Sequence, residues 1–213
     1  KTAREAIQVM GSLAEKYGYA QTGEHITVTD GKEVWAFEIF GSGKDWAPSS
    51  GKPGAVWCAQ RIPEGHVGVS ANRSRIGKID LNNPDFFMGS PNVYSLAIER
   101  GWWDPKSGTP FIWYEAYSKP APWERGSIIR EWRILSLVAP SLKLDIEKGR
   151  FPFSVKSDHP LSVQDIIGIH RDTLQGTPFD ITENDVFYIE SNNGLEKSPM
   201  ASPFGPSNLH KLL

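Results

Sequence analysis

The sequence predicts an α+β protein in which antiparallel sheet strands are packed by helices, and three observations carry that prediction. One amphipathic helix opens the chain. A meander of β-branched and aromatic runs follows, broken by hairpin-type turns. Beyond the meander, helical periods alternate with long Gly- and Pro-rich loops, and no internal repeat is present.

Thr2 followed three residues later by Glu5 is a capping box. Ile7, Met10, Leu13, Ala14 and Tyr17 then recur at helical spacing, and Gly18 is positioned to end the helix in a left-handed conformation. The reading is a helix over 3–17. Strands are expected at 24–29 and 33–40, joined at Asp30-Gly31. In the second strand Val34, Ala36 and Glu38 share one face and Trp35, Phe37 and Ile39 the other, so the sheet should be covered on both sides. Glu38 on an apolar face is either a paired, functional carboxylate or a residue near the sheet margin, and the pattern favours the margin.

The Gly/Pro/Ser-rich run 41–54 is a long loop and a candidate lid. Its Gly41-Ser42-Gly43-Lys44 lacks the spacing and following helix of a phosphate-binding loop. Residues 54–79, GAVWCAQRIPEGHVGVSANRSRIGKI, then supply two strand-like runs, 54–62 and 66–72, about a Pro63-Glu64-Gly65 turn. With the first hairpin they predict four consecutive antiparallel strands. A short helix is expected after Asn83-Pro84, and a better one after Ser90-Pro91 that Gly101 ends. Phe111 to Tyr117 reads as a strand, Ile128 to Val138 as a helix, and Leu161 to Leu174 as a helix capped by Ser162 with Asp165 at its third position. From Gln175 onward the composition predicts loop.

At 213 residues the chain suits one domain, or at most two small ones. Its net charge of −2 comes from 23 basic and 25 acidic residues mixed along the sequence, which gives no nucleic-acid footprint and no polybasic membrane patch. No run of about 18 apolar residues exists, so no transmembrane helix is expected. One cysteine excludes an intrachain disulfide and a multi-cysteine metal site. The five histidines form no H-E-x-x-H and no helical pair, so neither metal nor cofactor is expected. No G-x-S-x-G elbow occurs.

Candidate chemistry is concentrated after the second of the 54–79 runs. Cys58 lies within an apolar strand and reads as a buried hydrophobe rather than a reactive thiol. Asn72, at the expected strand end, offers a carboxamide that can donate to a developing oxyanion, and Arg75 offers a guanidinium that can hold a carboxylate. The alternative is a turn asparagine beside solvated arginines. Most of the eight tryptophans read as packing, with Trp46, Trp102 and Trp103 in loops that could line an organic-substrate pocket.

The stretches HITVTDGKEVWAFEIFG, GAVWCAQRIPEGHVGVSANRSRIGKIDLNNPDFFMGSPNVYSLAIERGWWDP and GTPFIWYEAYS resemble the dipeptidase-A-type cysteine dipeptidases. The likeness begins in REAIQVMGSLAEKYGYA and continues through GTPFD and PFGPS. Its most specific part is A-x-R-x-P-x-G with A-N-x-S-R-I, followed by F-M-x-S-P-N-V. The resemblance implies an N-terminal-nucleophile hydrolase with an αββα sandwich. In such enzymes an N-terminal cysteine attacks the peptide carbonyl with its own amino group as base, so no histidine is needed. Asn72 then matches the asparagine that stabilises the oxyanion; Arg75 as carboxylate anchor is an inference from residue type.

This chain begins with Lys1, and Cys58 matches an interior strand position. The expectation is a single partial domain of a larger peptidase chain. Its nucleophile strand would lie upstream, further chain would follow Leu213, and the 213 residues alone would be inactive. A small peptide is the expected substrate. A sheet face left open by missing layers would favour a homo-oligomer. The alternatives are a non-catalytic binding or scaffold module of the same fold, and an amidase acting on a non-peptide amide.

Overall fold

A computed structural model describes residues 1–118 and 124–201. Trp123, His210 and the PFGPS segment lie outside the described residues. The element order is α1 (Ala3–Tyr17), β1 (Glu24–Thr29), β2 (Val34–Gly41), β3 (Ala55–Ile62), β4 (His66–Gly68), β5 (Phe87–Gly89), α2 (Val93–Glu99), α3 (Trp113–Tyr117), α4 (Glu124–Val138), β6 (Ser154–Lys156), α5 (Val163–His170), β7 (Tyr188–Ser191) and β8 (Gly194–Lys197). This is the α+β class with antiparallel pairing. The chain divides into two compact units: Lys1–Glu124 with Pro152–Lys156, and Arg125–Phe151 with the chain from Ser157 on.

In the first unit α1 starts where the sequence places it. The Glu5 amide donates to Thr2 Oγ1 at 3.2 Å and the Thr2 amide to Glu5 Oε2 at 2.8 Å, which together form the reciprocal capping box. Gly18 ends the helix with positive φ but not in the left-handed helical region, since φ is 85° and ψ 167°. Its amide closes the last turn on the Ala14 carbonyl at 2.8 Å. The extended ψ then sends the chain outward, so that the Tyr19 amide reaches the Gly54 carbonyl at 3.3 Å.

β1 and β2 form the expected hairpin, with Thr29 opposite Val34 and His25 opposite Glu38. Asp30 organises the turn. Its Oδ1 accepts from the amides of Lys32 (2.9 Å) and Glu33 (3.0 Å), and its Oδ2 from the Ala3 amide (2.9 Å). The last bond satisfies one of the amides left open at the start of α1 and ties helix to hairpin.

β3 pairs with β2 along its whole length, Glu38 opposite Cys58. The fourth strand of the sheet is not the expected one: the order is β1-β2-β3-β5. β5 sets Cys58 opposite Gly89 and Gln60 opposite Phe87, and the Arg61 amide donates to the Phe86 carbonyl at 2.9 Å. The free edge of β3 is therefore taken. β4 turns away after Pro63-Glu64-Gly65, is three residues long, and pairs with β6 in a separate ladder, His66 opposite Lys156. The helix expected after Asn83 is a turn, with the amides of Phe86 and Phe87 both on the Asn83 carbonyl before β5 begins.

Both faces of the main sheet are covered by the chain itself. Trp35, Phe37, Ile39, Trp57 and Ala59 pack against Ala3 and Ile7 of α1. Val56 and Cys58 on the other face pack against Ile76, α2 and α3. The central part of the sheet leaves no apolar face open, while Ile26 of β1 and Val34 at the start of β2 are exposed, as are Val9, Leu13 and Tyr17 of α1. The predicted strand over 111–117 is largely the helix α3. Trp113, Ala116 and Tyr117 all face the core, which is helical spacing, and the Trp113 and Tyr114 amides take the carbonyls of Gly77 (2.9 Å) and Ile76 (3.2 Å).

α4 begins at Glu124, the last residue of the first unit before Arg125, rather than at Ile128, and within the second unit it buries Ile129, Leu135 and Val138. α5 has the predicted Ser162–Asp165 capping box but ends at His170. Asp172 is drawn into a two-bond pair with Arg133 (3.0 and 2.8 Å), and Leu174 has φ of 63°, so the helix cannot continue. The region expected to be loop contains a hairpin, β7 with β8, turning at Asn192-Asn193-Gly194.

Gly11 of α1 lies against the Trp57 indole, whose Nε1 donates to Glu15 Oε1 at 2.7 Å and whose ring stacks on Phe37 at 5.5 Å. A methyl at Gly11 would overlap a ring that cannot move. Gly11→Ala should therefore lower the melting temperature, because overpacking costs about 1–3 kcal/mol against about 1 kcal/mol gained in helix propensity. Gly168 in α5 faces open space, and Gly168→Ala should raise stability by about 0.5–1 kcal/mol.

Three backbone amides hold the Asp30 carboxyl down to about 2. Because that lies below the unfolded value of about 4, the stabilisation is full above pH 4 and fades as pH falls toward 2. Melts of Asp30→Asn against the parent should differ at neutral pH and converge across that window.

Candidate functional site

The site is built on the face of the main sheet that carries α2 and α3. Its centre is Glu38, the fifth of eight residues in β2, with strands on both sides. The reading of Glu38 as a margin residue is overturned, for it is 1% exposed and mid-sheet. A carboxylate there is tolerable only if its oxygens are occupied. Oε1 accepts from the backbone amides of Arg75 (2.6 Å) and Ile76 (3.2 Å) and meets His25 Nδ1 at 3.1 Å. Oε2 accepts from the Ser74 hydroxyl and from Trp113 Nε1, the latter at 2.8 Å.

These bonds hold the segment that leaves β4. Residues 69–77 lie in no strand or helix, and a single bridge, Lys78 to Ile112, ends the stretch. Ser70 donates to the Arg73 carbonyl at 3.1 Å. Asn72 is exposed and has φ of 61°, a left-handed conformation that asparagine adopts more readily than other residues with a side chain. It stands four residues beyond the end of β4, not at a strand end, because β4 stops at Gly68.

Arg75 is on the same segment and buried at 4% exposure, its Nη2 donating to the Pro152 carbonyl at 2.6 Å. Arg73 pairs with Glu124 at 3.1 Å. The segment thus carries one exposed asparagine and one buried arginine three residues apart, and the amides of Arg75 and Ile76 end on a buried carboxylate.

Cys58 faces Glu38 across the β2–β3 ladder and is fully buried. Burial and the neighbouring Glu38 charge push its thiol well above its ordinary range, which suits packing rather than attack. Trp46 closes the 41–54 loop on itself. Its ring lies against Gly18 and Gly54 and its Nε1 donates to the Lys52 carbonyl at 2.9 Å. Trp102 and Trp103 pack edge-on against Tyr117 (5.7 Å) and Phe111 (5.3 Å).

Among the described residues no group of three His, Cys, Asp or Glu side chains could hold a metal ion, and no helix is long and apolar enough to cross a membrane. Residue patterning missed the role of Glu38. The signal was available: an acid at the middle of a strand with apolar neighbours on both faces needs internal partners wherever that strand is central.

Residues 1–193 match peptidase family C69, and the chain belongs to that family. It is 28% identical over 180 residues to a probable dipeptidase of Latilactobacillus sakei, covering 84% of this chain and 35% of that protein. Against a probable dipeptidase of Salmonella dublin the identity is 29% over 182 residues, with 84% and 39% covered. Against dipeptidase A of Lactobacillus helveticus it is 23% over 188 residues, with 84% and 35% covered. The chain spans 35 to 39% of the length of the first two of these relatives.

The geometry at Cys58 yields a direct check. In the native protein its thiol should resist a water-soluble alkylating reagent and become labelled only in denaturant, read by peptide-resolved mass spectrometry. Rapid labelling under native conditions would contradict the burial.

Proposed function

We propose that this chain is a portion of a cysteine dipeptidase, a partial domain of a longer enzyme that hydrolyses small peptides. The observation that carries the proposal is the exposed Asn72 in a chain of peptidase family C69. Relatives named as dipeptidases support the substrate class. The only cysteine of these 213 residues is the buried Cys58, so the proposal assigns the nucleophile to a residue outside them.

In the proposed reaction the thiolate attacks the peptide carbonyl carbon and the carbonyl oxygen takes up negative charge. An N–H of the Asn72 carboxamide donates to that oxygen. Collapse expels the amine, its nitrogen taking the proton that the thiol had passed to the nucleophile's own amino group, and leaves a thioester, which water hydrolyses through a second oxyanion at the same place. Asn72 serves both steps because its donor is needed only while charge is on the oxygen, which is why such a group raises turnover rather than affinity. In the same proposal Arg75 supplies the cation for the substrate carboxylate, its guanidinium buried beside the Pro152 carbonyl.

Asn72→Ala in the full-length protein should lower kcat on dipeptides by about 10²–10³, with KM little changed. An unchanged kcat would remove Asn72 from the mechanism. Turnover of a non-peptide amide with no hydrolysis across a dipeptide panel would replace the dipeptidase reading with an amidase.

A further inference from the structure

Glu38 is a fully buried charged group at the site that the proposed reaction leaves without a task. We propose that Glu38 is a positioning residue for Asn72: through Ser74 and the amides of Arg75 and Ile76 it fixes the segment that presents the carboxamide to the oxyanion. The inference rests on the reading of Asn72 as oxyanion donor.

The argument begins with the backbone. Residues 69–77 belong to no strand or helix, so no ladder settles where this segment lies. Two consecutive amides, Arg75 and Ile76, converge instead on one oxygen of Glu38, and the Ser74 hydroxyl takes the other. The three anchored residues begin two positions after Asn72. The anchor itself is rigid, because Glu38 sits mid-strand in a sheet covered on both faces. Asn72 therefore extends from a segment whose near end is tied to the core by charge-assisted bonds, which are stronger than neutral ones. An oxyanion donor requires such fixing, since a displacement of about 1 Å costs about 10²-fold in rate.

The donors also define what Glu38 must be. The backbone amides at Oε1 and the Trp113 indole at Oε2 can only donate. Both oxygens must accept, as a carboxylate does. A glutamine of the same shape must turn its NH₂ toward donors in either orientation. Removing the indole N–H resolves that conflict. The glutamine NH₂ can then donate to Ser74 Oγ while its oxygen keeps the two amides. A positioning role therefore predicts a specific rescue that simple loss of core packing does not.

The test uses the full-length protein and one dipeptide substrate, with folding of every variant checked by thermal melt. Glu38→Gln should lower kcat by about 10²-fold with KM changed only a fewfold. Added to Asn72→Ala it should cost almost nothing further, because the two act as one unit. Combined with Trp113→Phe it should recover at least about tenfold of the lost kcat relative to Glu38→Gln alone. An equal loss from Glu38→Gln in both Asn72 backgrounds overturns the proposal, as does absence of rescue in a folded double variant.

If Glu38→Gln does not fold, Ser74→Ala carries the same cycle. A loss of about tenfold that vanishes beside Asn72→Ala supports the proposal, and an equal loss in both backgrounds overturns it. The two readings fail separately. Unchanged kcat in Asn72→Ala sinks the oxyanion assignment and this inference with it. A large loss in Asn72→Ala with none in Glu38→Gln sinks the positioning role alone.

Discussion

One carboxylate at the middle of a sheet is the constraint on which the first unit depends. Glu38 occupies a position where burying an unpaired charge would cost several kcal/mol. The surrounding chain meets that requirement from three directions: His25 from the neighbouring strand, Ser74, Arg75 and Ile76 from the segment after β4, and Trp113 from α3. Each bond is a statement about tertiary placement. Trp113 fixes where α3 docks, and the two amides tie down a stretch that lies outside every strand and helix. Burial, and after it the Glu38 charge across the ladder, raises the thiol of Cys58.

The rest of the unit is arranged so that this sheet stays closed. α1 covers one face and is tied to the hairpin turn through Asp30 and to Glu33 through Arg4, at 2.9 Å for each of those bonds. Glu33 also takes the Trp35 indole at 3.1 Å, and Arg4 lies over that ring at 4.8 Å. These contacts are at the rim, half-exposed, and individually weak. Their effect is geometric, since they hold the helix at the angle where Ile7 and Gly11 meet Trp35, Phe37 and Trp57 without a gap.

What could be read from the sequence follows the range of the interaction involved. α1, the β1–β2 hairpin, β3 and α5 announce themselves through caps, turns and periods that act within a few residues, and all were legible with small errors at their ends. β4 and α3 were not. Whether residues after Ile62 continue the meander depends on β5 claiming the edge of β3, a contact invisible in either segment alone. Whether residues 111–117 are strand or helix depends on which faces the core covers. The β7–β8 hairpin did carry a local signal, Asn193-Gly194, submerged in a Gly- and Ser-rich composition. At the site, Asn72 and Arg75 could be chosen by residue type. Glu38 could not, because its role lies in partners 36 to 75 positions away, Ser74 and Trp113 being the nearest and farthest on that side.

The pairing of β4 with β6 joins residues 66–68 to residues 154–156. A strand of three residues gains little by pairing until both partners are present, and closing so long a loop is entropically slow. During synthesis the ribosome therefore releases α1, the main sheet, α2 and α3 well before it releases the partner that completes the ladder. The segment bearing Asn72 leaves β4 directly, and the carbonyl that holds Arg75 belongs to Pro152. The sheet can form early as a vectorial folding event, whereas the candidate site becomes organised only after the chain has returned from residues that belong to another unit.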